Sequence, residues 1–359
     1  MNNPESKIVI DQKSIGTGHP AYFIADIAAN HDGDLNCAID LIYEAKQAGA
    51  DAAKFQHFQA GKIVSDRGFK MLGNQKSHQA EWSKSVFEVY QEASVKHDWT
   101  KVLKETCDKI GITFFTSPYD FQTVDYIDPY VPAFKIGSGD ITWLQIIRYI
   151  ASKQKPYIIA TGASSTDDVI RAVATGLEVN KKIALLQCNT NYTASIKNLG
   201  FVQLNVLKTY RNMFPDMVIG LSDHTPGHST VLGAVSLGAK IIEKHFTLDT
   251  NRSGPDHRFS MDPKSWKEMV GRTRELEAAL GSGIKKIEEN ELETAILQRR
   301  AVRAHHRILA GQTIKIDDII MLRPCPEEGV PPYLVDTVIG RTLKRDIEMG
   351  EHIAFSDLT

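Results

Sequence analysis

The chain reads as an α/β protein: a (β/α)8 barrel followed by a small β-rich module. Three observations predict it. Short apolar, β-branched runs alternate with longer helical patterns across residues 21–281. No GxGxxG or Walker-type loop supports a nucleotide-binding open sheet. The pattern changes after residue 300, where one short template occurs twice. Eight runs are strand candidates: 21–28, 51–58, 112–118, 133–139, 156–162, 183–189, 217–223 and 239–246. Between them lie helical stretches such as LNCAIDLIYEAKQAG (35–49) and TDDVIRAVATGLEV (166–179), and DPKSWKEMVGRTRELEAALG (262–281) follows the last strand. Alternation of this kind implies right-handed βαβ units and a parallel sheet. Eight units match a barrel whose site lies at the C-terminal ends of the strands. A doubly wound sheet is the structural alternative.

The segment 57–97 interrupts this rhythm. It is long and polar, with Trp82, Phe87 and Tyr90 interspersed, and reads as a lid or a dimer-contact insertion. Residues 1–281 then form the barrel domain, 282–300 a charged, glycine-opened linker, and 301–359 the module. ILAGQTIKIDDI (308–319) and IEMGEHIAFSDL (347–358) share the template I-x-x-G-x-x-I-x-x-x-D-[I/L], which predicts internal pseudo-symmetry. So small a module has too little apolar surface to be robust alone, so docking on a barrel, its own or a partner's, is expected.

Composition narrows the function classes. With 359 residues, 42% hydrophobic and 24% charged, this is an ordinary globular chain. A net charge of −2 supplies no basic field for nucleic acid or an anionic membrane, so anionic ligands must meet local cations. Cys37, Cys107, Cys188 and Cys325 form no CxxC pair. No run approaches a membrane span and the start lacks a signal-peptide pattern, so a cytoplasmic location is expected.

Polar residues gather at the strand ends. Asp26, Asn30 and His31 follow the first strand, Lys54 and Gln56 the second, Thr116 and Ser117 the third. Lys135, Ser138 and Asp140 follow the fourth, Thr161 the fifth, and Asn189, Asn191 and Tyr192 the sixth. Ser222, Asp223 and His224 close the seventh strand; Glu243, Lys244 and His245 close the eighth. Burying so many polar groups without a use would be costly. His224 and His245, on adjacent strands at matching heights, could share a loosely held divalent ion that polarises a carbonyl; two neutral imidazoles satisfied by backbone carbonyls are the alternative. Lys54 and Lys135 end apolar strands and could meet a carboxylate or phosphate, or an internal carboxylate partner. Ser117, Ser138 and Ser222 are short donors suited to a phosphate cradle, and TGASSTDDV (161–169) brings a helix N-terminus to the same face. Arg323, taken alone, is a surface arginine.

KIGSGD (135–140), QCNTNY (187–192), GLSDHT (220–225) and EKHFTLD with GPDHRFS (243–260) resemble the sialic acid synthase family over nearly the whole chain, including an antifreeze-like (SAF, β-clip) module. The resemblance implies condensation of phosphoenolpyruvate with an N-acetylmannosamine-type sugar to a nine-carbon 2-keto acid. It implies a homodimer with swapped C-terminal modules and a divalent ion on His224 and His245, usually manganese, with magnesium or cobalt as alternatives. It assigns Lys54, Lys135, Ser117, Ser138 and Ser222 to phosphoenolpyruvate, with Asn191 and Tyr192 nearby. Gln56, Tyr192 and Asp256 fall on sugar contacts, and Arg323 on an arginine donated across the dimer, which replaces its surface reading. Asp26 and Asp140, candidate general bases, stand where many relatives have glutamate. GPDH leans toward the neuraminate or legionaminate branches; pseudaminate remains open. Rivals are an octulosonate or heptulosonate synthase, a Schiff-base aldolase using Lys54 or Lys135, and a non-catalytic carbohydrate- or ice-binding protein.

Overall fold

The computed structural model describes residues 6–73, 79–80 and 82–359. Two compact units emerge, Met1–Gly281 and Ser282–Thr359.

Within the first unit, β1 (Lys7–Ile10) and β2 (Lys13–Gly16) form an antiparallel hairpin. Asp11 and Gln12 at its turn both have positive φ, as a two-residue turn of the right twist demands. The sequence reading omits this hairpin, because two four-residue strands in a polar stretch carry too little periodicity. Thr113 Oγ1 donates to Asp11 (3.1 Å) and Lys13 pairs with Asp51 (3.0 Å). The hairpin therefore lies against the beginnings of barrel strands and buries Ile8, Ile10 and Ile15 there.

Eight strands follow: β3 (Tyr22–Asp26), β4 (Ala52–His57), β5 (Thr113–Pro118), β6 (Phe134–Ile136), β7 (Tyr157–Ala160), β8 (Ile183–Cys188), β9 (Val218–Asp223) and β10 (Ile241–His245). All neighbouring pairs are parallel, and β10 closes on β3. The expected helices form at Leu35–Gln47, Thr166–Leu177 and Pro263–Leu280. Ser165 and Asp168 make a capping box at the second, and Asp262 caps the third ahead of a first-turn proline. The insertion after β4 folds as short helices Ala60–Ile63, Asp66–Met71 and Val86–Ala93; its residues 74–78 and 81 lie outside the described residues. Phe58 packs on Tyr90 and Tyr119, with ring centroids 5.3 and 5.8 Å away. Among the described residues no helix is long and apolar enough to cross a membrane.

In the second unit β11 (Ala301–Ala304) pairs antiparallel with β12 (Ile319–Leu322). The segment 282–300, expected as a linker, contains a helix at Leu292–Gln298. The repeated template is a pseudo-two-fold at the level of individual hydrogen bonds. Gly311 donates to the Leu343 carbonyl and Gly350 to that of Ala304, both at 2.8 Å. Ile308 and Ile347 exchange both backbone bonds across the axis, and both glycines have φ near +80°, where glycine carries no steric cost. Ile308, Ile314, Ile347 and Ile353 are buried in one cluster.

Gly220 faces the barrel interior. A Cβ there would sit 2.3 Å from the Ile241 carbonyl oxygen and 2.4 Å from Leu186. Gly220→Ala should therefore lower the unfolding free energy by about 1–3 kcal/mol in urea denaturation, the usual cost of overpacking.

Candidate active site at the barrel mouth

Strand register builds the site. His245 lies opposite Asp26, and Asp26 opposite Lys54, so three adjacent strands present these side chains at one level. Lys54 Nζ donates to Asp26 Oδ2 at 2.6 Å, Gln56 Nε2 at 3.4 Å, and His245 Nε2 is 3.6 Å from the same oxygen. Ser222, level with Glu243, donates to Glu243 Oε1 at 3.0 Å. Lys135 reaches across the interior from β6 to that oxygen, at 2.9 Å. Asp26, Lys54, Lys135, Ser222 and Glu243 are each no more than 4% exposed, so protein groups rather than bulk water must balance their charge.

The two lysines set the ionisation of Glu243. Burial alone would raise its pKa, but the Lys135 and Lys54 ammonium groups outweigh burial and hold it at about 2. Burial likewise disfavours the Lys54 ammonium, and the Asp26 and Glu243 carboxylates reverse that, raising its pKa. Glu243 Oε2 has no hydrogen-bond partner and lies 4.0 Å from Lys54 Nζ.

His224 and His245 meet, with ring centroids 5.3 Å apart. Tyr192 stands 4.5 Å from the first ring and Phe259 4.8 Å from the second. The Asn189 carbonyl, 3.0 Å from His224 Nδ1, can only accept, so Nδ1 carries a proton, and in the neutral ring Nε2 would keep its lone pair. His245 Nδ1 is buried without a hydrogen-bond partner, 3.9 Å from Asp256 Oδ2. Burial, then the charges of His224, Lys54, Lys135 and Lys244, hold His245 well below the ordinary imidazole value; it is neutral, the form that ligates metals. Among the described residues no three His, Cys, Asp or Glu side chains converge as a complete cation site. An ion held by this pair alone would keep open positions for water or substrate.

The residues given a catalytic, substrate or metal role from the sequence line one cavity of about 410 Å³, apart from Asn191 and Arg323. The Asn191 side-chain oxygen instead accepts from the Thr193 amide and hydroxyl and from Asn198; it shapes the loop, and its neighbours Thr190 and Tyr192 line the cavity. Arg323 belongs to the second unit, exposed on the loop after β12. Ser138 Oγ accepts from the Gly162 amide at 3.0 Å, and a Cβ on Gly162 would lie 1.7 Å from Thr190 Oγ1, so only glycine fits beside this hydroxyl. Asp140 and Asp256 also line the cavity, and burial pushes each carboxyl up to about 6.

Several polar strand-end residues face away from the mouth. Asp223 takes Lys244 (2.5 Å), Thr225 and Thr230, and Thr116 bonds His57, which also bonds Thr100. Alternation along a strand separates them from the inward set. Asn30 spends its amide on the Phe246 carbonyl and Ser260. Glu243, given no role from the sequence, is the central carboxylate; its position two residues before His245 was the available signal. Tyr119 and Tyr90 also line the cavity. Only the fold brings them there, since one follows β5 and the other sits in the insertion.

A closed parallel barrel with buried lysines, carboxylates and paired histidines at its C-terminal mouth defines the class of (β/α)8 proteins with a polar strand-end site. Within that class the chain belongs to the NeuB family, whose model matches residues 41–285, and it carries a SAF domain over residues 299–359. It is 35% identical over 352 residues to an N,N'-diacetyllegionaminic acid synthase of Legionella pneumophila, covering 95% of this chain and 97% of that protein. A pseudaminic acid synthase of Campylobacter jejuni is 30% identical over 350 residues, covering 96% and 98%. The crystal structure of an N-acetylneuraminic acid (sialic acid) synthetase from Leptospira borgpetersenii, in complex with citrate, superposes with a TM-score of 0.71 at 28% identity, covering 82% of this chain and 96% of that one.

Removing one partner of a buried ion pair strands the other. Lys135→Met should therefore lower stability by about 3–5 kcal/mol in urea unfolding. The pH dependence has a definite sign. A carboxyl held at about 2 against an ordinary 4.5 contributes stability that is fully present above pH 4.5 and is lost as pH falls toward 2. Glu243→Gln should flatten the stability–pH curve across that window.

Proposed function

We propose that this chain is a nonulosonic acid synthase that condenses phosphoenolpyruvate with N-acetylmannosamine or a 2,4-diacetamido-6-deoxy analogue, and water, to give the nine-carbon 2-keto acid and phosphate. The carrying observation is the convergence of two neutral-capable imidazoles and two buried lysines on one cavity. His224 and His245 would hold a divalent ion, manganese in this reading with magnesium or cobalt as alternatives, which supplies Lewis-acid polarisation of the sugar aldehyde. C3 of the enol phosphate attacks the aldehyde carbon. Water adds at C2, and the adduct expels phosphate by C–O cleavage.

Charge matching supports both the ion and a second subunit. Lys54 and Lys135 are already opposed by Asp26 and Glu243, so these four groups alone add no net positive charge for a substrate carrying a carboxylate and a phosphate. A metal ion and Arg323 of a partner's swapped module would provide it. Ser117, Ser138 and Ser222 complete the anion's donors, while Gln56, Tyr192 and Asp256 face the sugar. Between the candidate bases, Asp140 is favoured. Asp26 is committed to Lys54 and the Ala28 amide. Burial raises both carboxyls, but the Asp140 carboxylate has no hydrogen-bonding or charged partner acting on it among the described residues, and its value of about 6 suits proton abstraction from water near neutrality. The cysteines are free, in keeping with the cytoplasmic location this reading includes. The legionaminate branch is named for one relative and the pseudaminate branch for another; the GPDH loop favours the neuraminate or legionaminate type.

Phosphate release from phosphoenolpyruvate, measured with each candidate sugar with and without Mn²⁺, tests this. One sugar should support turnover that chelator abolishes and Mn²⁺ restores; turnover unaffected by chelation, or none with any sugar, refutes the proposal. A second measurement assigns the base. kcat/KM should fall tenfold per pH unit below about pH 6, and Asp140→Asn should lower it by about 10²–10⁴ and remove that limb.

A further inference from the structure

We propose that His257 and Asp32 form a latch that positions Asp256 at the cavity, making His257 a positioning residue for the sugar; the sugar's part in this rests on the function proposed above. His257 is fully buried, yet both its ring nitrogens are used. Nδ1 meets Thr247 Oγ1 at 2.6 Å, on its own loop, and Nε2 meets Asp32 Oδ1 at 2.9 Å, on the loop after β3. The other Asp32 oxygen takes Arg252 at 2.6 Å. Asp32 itself sits at φ +51°, a left-handed backbone that a β-carbon disfavours and that surrounding contacts must hold.

Asp256 needs such support. Its hydrogen bond is from the Ala29 amide, at 3.1 Å, and Ala29 lies on the same loop as Asp32, between β3 and the helix Leu35–Gln47. His257 thereby ties the loop carrying Asp256 to the loop carrying the donor that orients it. Gly254 fits the same design. A Cβ there would fall 2.6 Å from His257 Cδ2 and 3.3 Å from Asp32 Oδ1, so the chain can cross the His257–Asp32 contact only as glycine. Each letter of GPDH except the proline then has a separate physical duty: glycine clears the latch, aspartate faces the cavity, histidine holds it there.

The test combines kinetics with hydrogen exchange on the full chain. His257→Ala should raise KM for the amino sugar at least tenfold while KM for phosphoenolpyruvate stays within twofold, and His257→Gln should recover most of the loss. In an Asp256→Ala background, His257→Ala should add less than twofold, because it acts through a contact already removed. Exchange at the Ala29 amide should accelerate at least tenfold in His257→Ala. If that variant fails to fold, Asp32→Gly, which removes the acceptor and suits the left-handed backbone, carries the same comparisons. Equal rises in both KM values, fully multiplicative effects in the double variant, or unchanged Ala29 exchange would overturn the latch. Absence of turnover in the parent protein would instead sink the synthase reading, and Ala29 exchange would still report on the latch.

Discussion

The bond from Lys135 to Glu243 spans the barrel, and the mouth is organised around it. Glu243 is held by Lys135 and Ser222 and faces Lys54, which in turn holds Asp26. Two ammonium groups and two carboxylates thus neutralise one another where water is excluded. Such an arrangement costs desolvation energy that a hydrophobic layer would not. It is explicable if the cations are to be shared with an incoming anion. Because Asp26 also approaches His245, the charged network runs directly into the paired imidazoles, so electrostatics link the two halves of the site.

How much of this could be read from the sequence depended on periodicity. All eight barrel strands lie inside their expected runs because buried parallel strands are continuous apolar stretches. The residues at their ends were legible as a class, but inward and outward members were not separated until alternation was applied to actual registers. Asp223 and Lys244 sit beside Ser222 and His245 in sequence and face the opposite way. Glu243 was legible as a strand-end polar residue but carried no role, because its partners Lys135 and Ser222 come from other strands; Tyr90, in the insertion, reaches the cavity only through tertiary packing. Asn191, a polar residue in a recognised phrase, spends its side-chain oxygen within its own loop, which sequence position alone does not reveal.

The GPDH segment illustrates how a short motif can combine several constraints. Its glycine is set by a steric limit, its aspartate by the cavity, and its histidine by a second loop distant in sequence. The β3–β10 closure makes this feasible, since it puts the two loops side by side.

The mirrored hydrogen bonds of the C-terminal module carry a consequence for its cooperativity. Gly311 and Gly350 each close their turn on a carbonyl from the opposite repeat, and the two isoleucine pairs share a single core. Neither repeat can satisfy its own backbone, so severing the chain between them leaves no independently ordered fragment. The module should therefore melt as an all-or-none element despite its duplicated sequence.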